Sequence, residues 1–142
     1  MNRFFALVMS LFLLCGCGAF SSGVTALDAS ITVSNTSAQI LDATQVSAVS
    51  LYRTEQLQAL ETARAAGEDR DKAWSRIKNI RVNWDPVWHA FATARAAHAD
   101  LVLALSVYQK DKSKVEELRA ALYGFEQAVK AALSTLNTKR LE

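Results

Sequence analysis

Beyond residue 17 the chain has no cysteine, beyond residue 9 no methionine, and its 142 residues hold one proline and five glycines. Each shortage excludes something. Without later cysteines the body of the chain has no disulfide framework and no Cys–His metal spacing. Without a methionine past Met9, Met/His haem ligation of the bundle type is excluded, and a C-x-x-C-H attachment sequence is absent too. So few glycines and prolines give too few turn signals for an all-β chain. Charge of one sign is also scarce: 16 Lys+Arg face 14 Asp+Glu. Nucleic-acid binding rewards a strongly basic face, so it is not expected. Missing as well are H-E-x-x-H, a G-x-S-x-G elbow and a glycine-rich phosphate loop. The only histidines, His89 and His98, stand nine residues apart. On a helix that spacing points them to opposite sides, so they cannot share a metal. No cofactor is implied.

What is present begins with an apolar block, Phe4 to Leu14, behind a short basic start at Arg3. Such a block followed by small residues has the form of an export leader, and it is too short to span a bilayer comfortably. Leu14-Cys15-Gly16-Cys17 closes it. This stretch resembles the lipobox of bacterial lipoproteins, with cysteine at Cys15 where alanine or serine is usual. The resemblance implies cleavage before Cys17, so that 1–16 is a signal peptide, and acylation of Cys17, a palmitate-bearing anchor that holds the protein to a membrane. Two or more acyl chains hold stably where one does not. An oxidising compartment penalises a stray thiol, and a chain starting with an acylated Cys17 has none. In the resembling family a residue other than Asp after the cysteine goes with outer-membrane sorting, and Gly18 stands here. A second cut, after Ala26, is also open: Val24-Thr25-Ala26 has small residues at the right two places. It would leave a free soluble protein.

Residues 17–33 are rich in Ser, Thr, Ala and Gly and read as a flexible tether. Residues 34–142 read as an all-α domain, a three-helix antiparallel bundle with coiled-coil-like seams. Helices are expected over about 35–66, 69–109 and 113–137. Ser34 or Asn35 is the preferred start of the first, and Gly67 is suited to cap its end. Its apolar side, Ile40, Leu41, Ala48, Val49, Leu51, Tyr52, Leu57, Leu60 and Ala63, is the least regular of the three. The second helix carries Ala73, Ile77, Ile80, Trp84, Val87, Phe91, Ala94, His98, Leu101, Leu105 and Tyr108 in alternating steps of four and three, a heptad seam with one polar member. Pro86 lies inside it, so the helix is either kinked there or restarted with Asp85 as its cap. The seam keeps its phase through Trp84, Val87 and Phe91, which favours the kink. Ser113 and Glu116 have capping-box spacing for the third helix. That helix shows Val115, Leu118, Leu122, Phe125, Val129, Ala132 and Leu136, with a tail from Thr138 expected to fray. Short loops make the helices antiparallel neighbours, the first and third both pairing with the second.

His98 sits in the seam, which suits a core histidine bonded to a neighbouring helix, or a pH-responsive or ligand-contacting one. Trp74, Trp84, Trp88 and Phe91 surround Pro86. They read as bulky core, or as anchors of a partner or ligand groove. Arg70, Lys72, Arg76, Lys78 and Arg81 crowd the start of the second helix and read as its solvated face. No catalytic constellation emerges, and an enzyme is not expected. The expectation is a lipid-anchored, periplasm-facing protein that acts as an interaction or accessory factor of the bacterial envelope, through another envelope protein or self-association. Small helical lipoproteins that pilot secretion and envelope assemblies are similar in outline. The alternative is a small-molecule-binding bundle with Trp84, Trp88, Phe91 and His98 lining a pocket.

Overall fold

The computed structural model describes the backbone of residues 23–141 and the side chains of residues 28–140. The leader, Cys15 and Cys17 lie outside the described residues. Three long helices make up the rest: α1 Gly23–Ala65, α2 Arg70–Lys110 and α3 Val115–Leu141. Among the described residues there is no strand. The chain is an all-α three-helix bundle in which α1 and α3 both pack along α2.

The seams of α2 and α3 form the core. Ile80, Trp84, Val87, Phe91, Ala94, Leu101, Leu105 and Tyr108 are buried on α2, and Leu118, Phe125, Val129, Ala132 and Leu136 on α3. Half-buried Ala90, Ala97 and Ala104 lie against this cluster. Residues without long side chains let the helices approach closely.

Helix α1 departs from expectation at its start. It is helical from Gly23, inside the stretch expected to be a tether, and not from Ser34 or Asn35. The reason lies in its serines. Ser30, Ser34 and Ser37 are buried, and with Leu41 and Ala48 they form a heptad seam in which all but Leu41 are small. Threonines and serines elsewhere on α1 bond to the carbonyl four residues back: Thr32 to Asp28, Thr44 to Ile40, Ser47 to Ala43, Thr54 to Ser50 and Thr62 to Gln58. A hydroxyl satisfied within its own helix no longer competes for the backbone.

The first turn is built as the sequence suggests. Gly67 has φ of +64°. The Glu68 amide donates to the Ala63 carbonyl (2.9 Å) and the Gly67 amide to that of Arg64 (3.1 Å), a Schellman closure. The Asp69 carboxylate then accepts from the Lys72 amide at 2.9 Å and caps α2. Glu68 takes both arms of the Arg76 guanidinium. These hydrogen bonds hold its carboxyl below the usual carboxylate range, and the desolvation that opposes them is smaller.

Helix α2 runs unbroken through Pro86, so the restart at Asp85 is not formed. Pro86 and Val82 are exposed, and water can take the Val82 carbonyl that proline leaves without an amide donor. The second turn also differs in detail. Asp111, not Ser113, is the cap: its carboxylate accepts from the Ser113 amide at 3.0 Å, and Lys112–Lys114 form one 3-10 turn leading into α3. Glu116, expected to reach back to Ser113, pairs with Arg119 at 2.7 Å. The tail expected to fray from Thr138 is helical to Leu141.

Hydrogen bonds and ring contacts fix the register. Ser34 faces His98, Asp42 faces Arg95, and Tyr52 faces Trp84 and Trp88. The start of α1 and the Lys110–Lys114 turn therefore share one end of the bundle, and the Gly67 turn forms the other. At 1.5 Å per residue α1 and α2 are about 60 Å long and α3 about 40 Å. Since α3 begins beside the end of α2, it stops near the level of Glu55, which its Lys139 meets at 3.8 Å. Beyond that level α1 and α2 continue as a two-helix hairpin.

Candidate functional site

Of the four aromatic residues singled out in the sequence, three are packed between helices and Trp74 is not. Trp84 and Phe91 are buried, Trp88 is half-buried, and Trp74 is 69% exposed near the far end of α2. Tyr52 of α1 meets Trp84 edge-on at 5.6 Å and Trp88 edge-on at 5.6 Å, while the two indoles stack at 5.4 Å. The Trp84 indole N–H donates to Glu55 of α1. Glu55 also pairs with Lys139 of α3. One carboxylate thus joins all three helices where α3 ends. Trp84 and Phe91 touch no open surface that a small molecule could reach without parting the helices.

His98 is half-buried. Its Nε2 shares a 3.1 Å hydrogen bond with Ser34 Oγ, and its ring lies 5.0 Å from that of Phe125 on α3. This is the core histidine bonded to a neighbouring helix. A Ser–His contact can also be a nucleophile with its base. Here Ser34 is 3% exposed, no carboxylate orients the other ring nitrogen, and the helical amides around Ser34 are engaged in the helix. The parts that would make the contact catalytic are missing among the described residues. His89 is exposed on the other side of α2. No group of three His, Cys, Asp or Glu able to hold a metal occurs among the described residues.

A different feature opens to solvent. On the side of the α1–α2 pair away from α3 lies a shallow groove of about 650 Å³. Its α1 wall carries Val46, Val49, Arg53 and Leu57; Arg95 contributes from α2. Arg95 is fixed in place: its guanidinium donates to Asp42 Oδ1 at 2.7 Å and to Gln45 Oε1 at 2.8 and 2.6 Å. Val46 is 70% and Leu57 60% exposed. None of these residues stands out in a reading for catalytic or aromatic motifs. The available signal was the irregularity of α1, whose apolar residues fall into two stripes: the serine–alanine seam facing α2, and a second one that faces water.

Helix α2 is long and apolar enough to cross a membrane by length and composition. Of the apolar window that meets this test 22% is buried: Phe91, Leu101 and Leu105 are core residues, whereas Val102 and Leu103 are exposed. Comparison with protein-family models, with curated proteins and with solved structures gave no match.

Proposed function

We propose that this protein is a lipid-anchored accessory factor of the bacterial envelope that works by binding another protein from the periplasmic side. The observation that carries the binding half is the uncovered apolar stripe of α1. Helix α1 carries a second set of apolar residues, Val46, Leu57 and Leu60, that neither α2 nor α3 covers. Singly scattered apolar residues need no explanation, whereas several on one face do. The anchoring half rests on Leu14-Cys15-Gly16-Cys17. With Cys17 acylated, the membrane lies toward the end of the bundle that holds the start of α1 and the Lys110–Lys114 turn. The α1–α2 hairpin then reaches about 60 Å outward, a geometry suited to contacting a partner away from the bilayer. A catalytic role has no support in the side chains brought together.

Two measurements test the two halves. Intact and N-terminal fragment masses of protein purified from its own membranes, beside a Cys17→Ser version, should give a chain starting at Cys17 with added acyl mass. A chain starting at Leu27 without lipid overturns the anchor. For the binding half, crosslinking in cells should capture another envelope protein. Capture of nothing, with a monomeric purified domain, would sink it.

A further inference from the structure

What resists bending of the α1–α2 pair changes along its length. Up to the level of Glu55 and Trp84, α3 lies across the pair as a brace, with Val129, Ala132 and Leu136 buried in the shared core. Past that level the pair stands without α3. Ala63 and Ile80 are the buried apolar residues there, with Ala59 and Ile77 partly buried. Both helices lose backbone restraint at this same level. In α2, Pro86 has no amide to give the Val82 carbonyl, and both residues are exposed. In α1, the Thr54 hydroxyl donates to the Ser50 carbonyl at 3.0 Å, a bond that weakens a helix's own and often bends it. The Tyr52 contacts with Trp84 and Trp88, both 5.6 Å, set the two spots opposite each other. At the tip, by contrast, the pair is closed tightly by the Gly67 turn and by the Glu68–Arg76 contact. Two helices joined in this way cannot slide past each other, so the pair is stiff in its own plane. Across that plane both helices can bend together without unpacking a side chain, and past Glu55 α3 no longer opposes it.

We infer that the α1–α2 hairpin beyond Glu55 is a hinged arm, which swings across the plane of its two helices about the level of Pro86 and Thr54 while the three-helix part stays fixed. The Trp84 indole bonded to Glu55, itself paired with Lys139, anchors the fixed side. From Pro86 to Arg70 the arm measures about 24 Å at 1.5 Å per residue. A swing of about 20°, the size at which helix bends are traced to proline, carries its tip about 8 Å. Exposed Leu57, Leu60 and Trp74 ride on the arm, so its angle sets where these apolar side chains stand relative to the rest of the bundle. The hinge depends neither on the lipid anchor nor on a bound partner.

Distances between pairs of nitroxide labels, carried on introduced non-natural residues in the purified full-length protein, test this. A pair at Asn137 and Lys72 spans from the end of α3 to the arm and reads the swing. Tyr123 with Ala99 reports the three-helix part alone, and Glu61 with Ser75 the arm alone; all six positions are exposed. The first pair should give a distance distribution broader by about 5 Å or more than the other two, which should both be narrow. Pro86→Ala restores the amide and should remove about half or more of that extra breadth, with circular dichroism showing the helix content retained. A distribution from α3 to the arm as narrow as that of the three-helix part overturns the proposal. So does a breadth that Pro86→Ala leaves unchanged. Equal breadth within the arm overturns it too, since the hairpin would then be unfolding locally instead of turning as one piece.

Discussion

At the scale of single residues, the Ser34–His98 contact shows how this bundle tolerates polar groups in its seams. A half-buried imidazole needs a partner, and a serine on the facing helix supplies one without adding bulk. Removing the hydroxyl with Ser34→Ala leaves the ring nitrogen without it, which should cost about 1 kcal/mol in urea unfolding. Ser34→Leu should cost more, about 1–3 kcal/mol, because the site has room for a hydroxymethyl group only. Equal costs for the two would show that packing space is not limiting there. The role of His98 was legible from its place in a heptad seam. Its partner was not, since Ser34 reads as the cap that starts the first helix and the serine-rich stretch before it, lacking an apolar period, as linker. Trp84 and Phe91 were legible as core for the same reason as His98. The Glu55 contact that closes the core beneath Lys139 depends on where α3 ends, which no local pattern fixes.

At the scale of elements, the seams decide and the local signals yield. Pro86 removes an amide and crowds the preceding turn, yet α2 continues because Trp84, Val87 and Phe91 are all in the core in one phase. The proline is therefore a retained cost. Pro86→Ala should stabilise the protein by about 2 kcal/mol, the helix-interior penalty less the gain in unfolded-chain entropy, and thermal or urea unfolding reads it directly. A destabilised variant would mean that the backbone geometry fixed by proline suits this helix better than alanine does. The first turn makes a prediction about pH. Arg76 holds the Glu68 carboxyl below its ordinary value. A carboxyl with a lower pKa in the folded chain adds stability that is present above its unfolded value and lost as pH falls through the folded one. Acidification through the carboxylate range should weaken the fold, and Glu68→Gln should flatten part of that fall. An unchanged acid limb would mean that this exposed pair contributes nothing. The sequence signal at Gly67 was sufficient here, because a positive φ is a local demand. At the second turn two caps competed, and Asp111 stands nearer to the break in helix than Ser113.

At the scale of the molecule, the consequence of most reach is that α3 is shorter than its neighbours. The count of helices, their antiparallel order and the seams of α2 and α3 could all be read from spacing. The uncovered faces could not, since which stripe of α1 meets α2 is settled only when the serine seam is seen to be buried. Where α3 is present, buried residues come from all three helices. Past Glu55 and Trp84, toward the Gly67 turn, the buried side chains shrink to Ala63 and Ile80. Two packed helices bury too little to be stable alone, so this hairpin depends on its continuity with the bundle and on the Glu68–Arg76 and Asp69 contacts at its tip. Its backbone amides should open in a separate, lower-energy step than those of the three-helix part. Hydrogen exchange on the full chain should thus show earlier deuteration over 57–65 and 70–80 than over 84–108 and 118–136. A partner seated in the α1–α2 groove would supply the missing third layer, and protection gained over the hairpin on binding would then appear at these same amides. Uniform exchange along α2 in the free protein would mean that the hairpin needs no third layer, and that its exposed Leu57, Leu60 and Trp74 do not mark an incomplete bundle.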